Sequence, residues 1–217
     1  MDTTDTKQKI TDFFTSYPTR VFEKGCVIIA PDDPLPGIFY LTEGRISQYD
    51  ITGNGVEVVV NVFKPGAFFP MSWAINKTTN IYFFEASTRV VVHVVPPEDA
   101  LRFLHDNPEV TFDLLARVYR GADGLLRRMA HLMGGDAKSR LLFEVLNAAY
   151  RFGELQEDGK LFVPLKEHDL ARHSGLARET VNRNMQSLKK DGILTVTHKG
   201  FVISNTSEIE ARLGREL

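Results

Sequence analysis

The chain has 217 residues, of which 43% are hydrophobic and 25% are charged, and its formal net charge at pH 7 is −2. This composition is that of an ordinary globular protein and excludes a disordered or collagen-like chain. The longest apolar runs, such as Val90–Val95, are far shorter than the roughly 20 residues of a membrane-spanning helix.

The cysteine content and the first residues bear on the cellular compartment. Cys26 is the only cysteine, which excludes an internal disulfide framework and a four-cysteine metal or iron–sulfur site. Residues 1–5 are acidic and polar, unlike the start of a signal peptide. We therefore expect a cytoplasmic protein with no membrane partner.

Short runs of β-branched and aromatic residues fill residues 20–95, and glycines and prolines separate them. Gly53-Asn54-Gly55 between two of these runs is a hairpin turn signal. Many short, evenly spaced strands are typical of an antiparallel sandwich or barrel. A short helix over residues 6–16 is expected to precede the strands.

Helical periodicity begins at Pro97, and a longer helix is predicted from Pro108 to a stop at Gly134-Gly135. Six small or apolar residues of this helix step by three and four positions, the heptad spacing of a two-helix seam: Leu115, Val118, Ala122, Leu125, Met129 and Leu132. We expect this seam to be a homodimer interface; the alternative is one amphipathic helix buried within its own chain. A second apolar face is expected to pack on the strands: Phe112, Leu114, Tyr119, Leu126 and Met133.

The remaining third of the chain has the pattern of a winged helix. A helix over 137–152 and a polar loop over 153–159 precede two short helices, over 167–174 and 178–191. Two strands, over 193–197 and 201–204, follow them, and a terminal helix over 207–217 is expected to be capped by Ser207. A hairpin directly after a helix-turn-helix is the arrangement of a winged helix.

The helix-turn-helix pattern depends on three positions. Ala171 is small where the two helices approach each other, Gly175 lies at the turn, and Val181 faces the first helix. A small core is expected from Leu170, Leu176, Met185 and Leu188. Ser174 and Asn184 depart from the pattern, since an apolar residue is usual at both positions.

The start of the second helix has the chemistry needed to recognise base pairs. Arginine bonds bidentately to guanine, and glutamate accepts a hydrogen bond from cytosine, so Arg178, Glu179 and Arg183 can recognise a G·C-rich sequence in the major groove. The alternative is an exposed Glu179–Arg183 ion pair of a few tenths of a kcal/mol. Candidate phosphate contacts, which position the protein without specifying sequence, are Thr180, His198 and Lys199.

The charge of residues 166–199 gives weaker support for a nucleic-acid partner. Residues 166–199 contain seven Lys and Arg, four Asp and Glu, and three histidines. A basic segment on an acidic chain is a modest indication of a phosphate partner, and an ordinary solvated face explains it equally well.

At this point the chain resembles the cyclic-AMP receptor protein / fumarate-nitrate reductase regulator (Crp/Fnr) family over nearly its whole length. The resemblance is carried by Phe22-x-x-Gly25, Tyr40-Leu41-x-x-Gly44-Arg45, Phe63-x-Pro65-Gly66-x-Phe68-Phe69, the run 175–183, and Leu188-x-x-Asp191-Gly192-Ile193-Leu194. It implies an α+β protein: an N-terminal antiparallel jelly-roll β-barrel like that of cyclic-nucleotide-binding domains, a long dimerisation helix and a C-terminal winged helix-turn-helix.

The resemblance also implies an organisation and a function. The expected parts are a sensor over 1–107, a dimerisation helix and hinge over 108–135, and a DNA-binding domain over 136–217. The family implies a transcription regulator that binds palindromic double-stranded DNA as a homodimer. Arg178, Glu179 and Arg183 match its base-reading positions in the cyclic-AMP branch, which implies TGTGA-like half-sites. RNA polymerase is a candidate partner through the loop over 153–159.

The sensor departs from the family pattern for cyclic nucleotides. Met71 stands where the family has an acid for the ribose, and no arginine lies between Arg45 and Arg89 for the phosphate. Because a buried phosphate needs a charge partner, we expect no cyclic AMP, although Lys77 could supply the charge. We also expect no haem, although His93, His105 and His131 leave a haem-responsive or cyclic-nucleotide-responsive regulator as an alternative.

An aromatic stretch follows the Pro-Gly turn. Its residues either line a pocket for an apolar effector or fill the barrel, in which case the effector is absent: Phe68, Phe69, Met71, Trp73, Tyr82 and Phe84. We expect no catalytic residue and no metal, because an enzyme on such a barrel needs clustered histidines and carboxylates and the strands contain only His93. A regulatory module that controls a partner protein without binding DNA is a further alternative.

Overall fold

The structure is a computed structural model that describes residues 3–53 and 55–214. The chain divides into two compact units, the first ending at Gly121 and the second beginning at Ala122. One helix, α4 (Pro108–Gly134), continues through this boundary. Among the described residues, no helix has the length and apolar character needed to cross a bilayer.

The described part of the first unit contains two four-stranded antiparallel sheets, with the strand orders β1-β8-β3-β6 and β2-β7-β4-β5. This is the strand order of a jelly roll, as predicted. The strands are β1 (Thr19–Phe22), β2 (Val27–Ile29), β3 (Ile38–Glu43), β4 (Ile46–Ile51), β5 (Glu57–Phe63), β6 (Phe68–Phe69), β7 (Phe83–Ala86) and β8 (Val90–Val95).

Helices cover one face of the first sheet, and β3 is buried on both of its faces as a result. Phe39 and Leu41 pack between the two sheets. Ile38 and Tyr40 point the other way and pack on α1 (Thr3–Thr15), α2 (Met71–Asn76) and α3 (Pro97–Asp106). Successive side chains of a strand point to opposite faces, so a strand covered on both sides needs a continuous apolar run.

Several sequence expectations for this unit need adjustment. The first helix begins at Thr3 rather than residue 6, and α2 was not predicted. The expected turn at Gly53-Asn54-Gly55 lies between β4 and β5, where the Thr52 amide donates to the Val56 carbonyl at 3.0 Å. Asn54 itself lies outside the described residues.

The long helix begins and ends where its proline and glycine predict, but its second apolar face does not pack on the strands as expected. Of that face, Leu114 contacts the core beneath α1, whereas the others are 63% to 83% exposed: Phe112, Tyr119, Leu126 and Met133. Among the described residues of α4, only Val110 and Leu114 take part in that core cluster, so the expected packing of the whole face on the strands is wrong.

The predicted seam is also open to solvent in the single chain. Leu115, Val118, Leu125 and Met129 are 46% to 58% exposed, and Ala122 and Leu132 are half-buried. These exposures do not fit the alternative in which the helix is buried within its own chain.

The second unit contains the elements of a winged helix. They are α5 (Ala137–Phe152), β9 (Glu154–Leu155), β10 (Leu161–Val163), α6 (Glu167–Ser174), α7 (Arg178–Lys190), β11 (Leu194–Val196), β12 (Phe201–Ile203) and α8 (Thr206–Leu213). The four strands form one antiparallel sheet in the order β11-β12-β10-β9. The predicted winged helix-turn-helix is therefore present.

Two expectations for this unit are wrong. The stretch over 153–159 is not only a loop, because Glu154 and Leu155 pair with β10 and extend the sheet. The terminal helix is capped by Asn205 rather than Ser207: the Asn205 side chain accepts a hydrogen bond from the Ser207 amide at 2.9 Å. Residues 215–217 of that predicted helix lie outside the described part.

A buried polar cluster connects three helices of this unit. The Arg128 Nε of α4 donates to Glu144 Oε1 of α5 at 2.6 Å, and its Nη2 donates to the His173 carbonyl of α6. Burial, together with the nearby Arg128 guanidinium, lowers the pKa of His173 from 6.5 to about 4. The His173 imidazole is therefore neutral at physiological pH.

We expect His173→Leu to weaken the pH dependence of unfolding between pH 7 and pH 4. The unfolded imidazole protonates near pH 6.5 and the folded one only near pH 4, so the unfolded state binds more protons in between and stability falls as the pH falls. The loss is at most about 3 kcal/mol at pH 4. Denaturant unfolding of both proteins at several pH values measures it.

A free-energy difference between the wild type and His173→Leu that stays constant from pH 7 to pH 4 would contradict the assignment.

Candidate nucleic-acid interface

The turn between α6 and α7 has the geometry that its sequence predicts. Gly175 adopts a left-handed φ of 64°, and its amide donates to the Ala171 carbonyl at 3.0 Å. A residue with a Cβ is strained in this region, which glycine enters freely. The chain can therefore end α6 at Ser174 and start α7 at Arg178, with only three residues between the two helices.

The two helices bury five of the six expected residues, all 8% exposed or less: Leu170, Ala171, Val181, Met185 and Leu188. Leu176, the sixth, lies in the turn and is only half-buried. The two polar departures are accommodated by hydrogen bonds to the backbone. Ser174 Oγ donates to the Leu170 carbonyl at 2.7 Å, and Asn184 Nδ2 donates to the Thr180 carbonyl at 2.8 Å. Each of these polar groups thus has a partner, which removes most of the cost of burying it.

The three predicted base-reading side chains are exposed at the start of α7. Arg178 is its first residue, and Glu179 and Arg183 follow within two turns. In the part of the chain that the structure describes, no ion pair within 4.0 Å joins Glu179 to Arg183. The alternative of an intramolecular pair therefore has no support from this conformation.

The wing is a tight β-hairpin between β11 and β12. The Thr197 amide donates to the Gly200 carbonyl at 2.8 Å, and Thr197 Oγ1 accepts from the Gly200 amide at 3.1 Å. A Cβ at Gly200 would lie 2.1 Å from the Val163 carbonyl oxygen, so this position requires glycine. The turn leaves His198 and Lys199 exposed at its tip.

A cleft of about 700 Å³ lies between the start of α6, the start of α7 and the wing. It brings together three of the predicted residues: Arg178, Glu179 and His198. The other three predicted residues are not part of its lining: Thr180, Arg183 and Lys199. Thr180 is half-buried, and Arg183 and Lys199 are exposed.

Sequence reasoning missed three residues that line the same cleft, namely Lys166, His168 and Asn182. Asn182 Nδ2 donates to Glu167 Oε2 at 2.9 Å, a contact between the two helices. Its position four residues after Arg178 places it on the same helix face, which is the signal that could have identified it.

Several acidic side chains around the interface have partners within the unit, whereas Glu179 is exposed. Asp169 Oδ2 accepts from the Lys166 amide at 2.9 Å. Asp191 Oδ2 lies 2.9 Å from Arg212 Nη1, and the hydrogen bonds to Asp191 and Glu208 raise the pKa of Arg212. The exposed cations Arg178, Arg183 and Lys199 therefore share the interface with the exposed carboxylate of Glu179.

The six aromatic and Met residues proposed as an effector pocket lie in two different places. Phe68, Met71 and Trp73 pack with the helices on the outer face of the first sheet. The other three pack between the two sheets: Phe69, Tyr82 and Phe84. This division favours the interpretation that they fill the interior. Lys77, the one predicted charge partner, is exposed at the end of α2.

The three histidines considered for haem have separate surroundings. His93 Nδ1 lies 2.8 Å from the Tyr17 carbonyl oxygen, His105 is exposed beside Asp106, and His131 stacks on the Phe143 ring at 4.4 Å. Over residues 3–53 and 55–214, no group of three or more His, Cys, Asp or Glu side chains is arranged to hold a metal ion.

Two family models match the chain, and together they span both compact units. The cyclic nucleotide-binding domain matches residues 19–107. The Crp-like helix-turn-helix domain matches residues 139–212.

Individual proteins resemble the chain over most of its length. The CRP-like cAMP-activated global transcriptional regulator of Mycobacterium tuberculosis is 26% identical over 195 residues, covering 88% of this chain and 86% of its own. A CRP/FNR-family regulator of Thermus thermophilus has a TM-score of 0.74 at 23% identity, with 91% of this chain and 98% of its own covered.

A third protein has the same fold and a different effector in its description. The c-di-GMP responsive global regulator CLP of Xanthomonas campestris has a TM-score of 0.77 at 18% identity, covering 91% of this chain and 99% of its own. Proteins of this architecture are thus described as responding to different nucleotides, so the fold does not identify an effector.

Proposed function

The chain belongs to the Crp/Fnr family of DNA-binding transcription regulators, and we propose that it acts as a homodimer on a palindrome with TGTGA-like half-sites. The observation that carries the proposal is the exposure of Arg178, Glu179 and Arg183 at the start of α7, beside the wing. The relatives are named as regulators and not as enzymes, in keeping with a binding function.

The chemistry of these side chains matches a G·C-containing half-site. The first residues of a recognition helix contact base edges in the major groove. Arg178 and Arg183 can each bond to O6 and N7 of guanine, and Glu179 can accept from N4 of cytosine. TGTGA has two G·C pairs, which is enough for both arginines to contact a guanine.

The wing and the first turn of α7 carry the residues proposed to position the protein on the phosphate backbone. Exposed His198 and Lys199 at the wing tip are proposed to contact phosphates, and Thr180 is proposed to do so from α7. Such contacts carry no sequence information, but they fix the register of the recognition helix on the duplex.

The exposed seam of α4 supports the homodimer. Its apolar side chains repeat with heptad spacing and stay accessible in the single chain, and a second copy of the helix would cover them by knobs-into-holes packing. A symmetric dimer places two recognition helices on two half-sites about one turn of DNA apart, or about 34 Å.

We infer that cyclic AMP is not the effector, although the cyclic nucleotide-binding model matches residues 19–107. Met71 begins α2 at the place of the family's ribose-binding acid, and the exposed Lys77 is a poor substitute for a buried arginine. The packed aromatic residues are consistent with a different effector or with none. None of the described contacts favours a haem sensor.

A fluorescence-anisotropy titration of a TGTGA-N6-TCACA duplex, against a scrambled duplex at the same salt concentration, tests the proposal. We expect specific binding without cyclic AMP. Binding that requires cyclic AMP would overturn the inference about the effector and leave the proposed homodimer and half-sites unchanged. Equal binding to both duplexes, with and without cyclic AMP, would overturn the half-site assignment.

Arg178→Ala should weaken binding to the palindrome by about 1–3 kcal/mol and relax the preference at one base pair of each half-site. The measurement is the same titration with duplexes in which each G·C pair is exchanged in turn. Lys199→Ala is the matched control, because loss of a phosphate contact weakens binding to all sequences about equally. If Arg178→Ala weakened binding to all duplexes about equally, Arg178 would contact a phosphate and not a base pair.

Leu125→Glu should dissociate the homodimer and abolish tight binding to the palindrome, since it places two like charges in the apolar seam. Sedimentation and the DNA titration measure the two effects. Leu155→Glu, at a residue that is 76% exposed and outside the seam, should change neither. A monomeric Leu125→Glu protein that still bound the palindrome tightly would contradict the seam assignment.

A further inference from the structure

Arg128 makes contacts that the DNA-reading chemistry does not explain. It lies in the part of α4 that belongs to the second unit, and its side chain is only 14% exposed. Its guanidinium bonds at once to a carboxylate of α5 and to the backbone of α6. One side chain thus connects the seam helix to both of the first two helices of the DNA-binding unit.

The carboxylate partner is almost completely buried. Glu144 is 1% exposed, and burial raises its pKa while the Arg128 charge opposes that shift. Replacing a buried ion pair by apolar residues of similar size is often neutral for stability, so stability alone does not explain such a pair. In some proteins, such a buried, directional pair fixes one arrangement of the elements that carry it.

The second contact reaches the helix-turn-helix directly. The His173 carbonyl belongs to the last turn of α6, where carbonyl groups lack partners within the helix and a cation is favourable. Gly175 follows two residues later and α7 begins at Arg178. The contact therefore lies at the C-terminal end of the first helix, next to the turn that sets the direction of the recognition helix.

The same stretch of α4 contains the seam beside Arg128. Leu125, Met129 and Leu132 are heptad seam positions, and Arg128 flanks this line, three residues after Leu125 and four before Leu132. Its guanidinium is turned to α5 and α6, whereas Leu125 and Met129 are about half exposed. A second copy can therefore cover the seam while Arg128 holds α5 and α6.

We propose that Arg128 is a positioning residue that fixes the recognition helix relative to the dimer seam, and thereby sets the half-site spacing that the protein accepts. The inference rests on the proposed homodimer and palindrome. In the dimer, a fixed angle between each seam helix and its recognition helix gives one distance between the two recognition helices. A loosened connection permits several distances.

The test uses the full chain and duplexes whose spacers are shortened or lengthened by two base pairs. We expect the wild type to prefer the N6 spacer and Arg128→Met to lose most of that preference, with palindrome affinity lowered about tenfold. Sedimentation should still show a dimer, and affinity for a single half-site should stay within about twofold of the wild type. Arg127→Met, at the exposed neighbouring arginine, is the matched control.

A second variant separates positioning from stability. Arg128→Met leaves Glu144 buried without its partner, which is strongly destabilising, whereas the double variant Arg128→Met/Glu144→Met leaves no buried charge of the pair. We expect the double variant to fold like the wild type and still accept several spacers. A double variant with the spacer preference of the wild type would overturn the inference and leave the proposed function intact.

The wild-type protein shows separately whether the proposed function itself is wrong. A wild-type protein that did not distinguish the palindrome from the scrambled duplex would overturn the homodimer-on-palindrome proposal, and the positioning role of Arg128 with it.

Discussion

The apolar stripe that α4 leaves exposed is the constraint on which the proposed assembly depends. Four of its residues, among them Leu115 and Met129, are about half exposed in the single chain. The stripe runs from Leu115 to Leu132 of this helix, or about 27 Å at 1.5 Å per residue, and an exposed apolar stripe of this kind is typical of an interaction surface. The stripe continues into the second unit, so a partner that covers all of it would contact both units. In the proposed homodimer, the same helix would take part in dimerisation and in the DNA-binding unit.

The interior of the jelly roll limits what the first unit can bind. Because β3 is covered on both faces, aromatic side chains fill the space between the sheets and the space beneath the helices. A phosphate bound there would need a cation and free space. Lys77, the predicted cation, is exposed at the surface, and packed side chains occupy the interior. Arg117 Nη1 of α4 donates to the Gly66 carbonyl at 2.8 Å, so the turn before β6 is connected to the same helix that carries the seam. Two arginines eleven residues apart, Arg117 and Arg128, therefore hold successive parts of α4 to the two units.

The sequence predicted those features that local chemistry determines. Pro108 and Gly134 bound the long helix, Gly175 marks the turn, and the apolar spacing around Val181 identifies the helix-turn-helix. The short elements were missed, since α2 has six residues and β9 has two, too few to show a period. Phe68 and Phe69 were assigned to one pocket, although adjacent residues of a strand point to opposite faces. The Arg128–Glu144 pair joins two helices across a bend in the chain, and no periodicity within either helix indicates such a contact.

The charge distribution explains how a chain of net charge −2 can carry a DNA-binding surface. Residues 1–135 hold 13 Lys and Arg against 16 Asp and Glu, which opposes non-specific attraction to DNA. In the second unit, several acids near the helix-turn-helix are engaged by Arg128, Arg212 and backbone amides. Arg178 and Arg183 face solvent, and Glu179 is an exposed acid beside them. Non-specific affinity depends on total phosphate neutralisation, whereas the proposed base recognition would depend on Arg178, Glu179 and Arg183. An acidic chain with a small cationic surface thus raises the ratio of specific to non-specific binding, the quantity on which a regulator's discrimination in a genome depends.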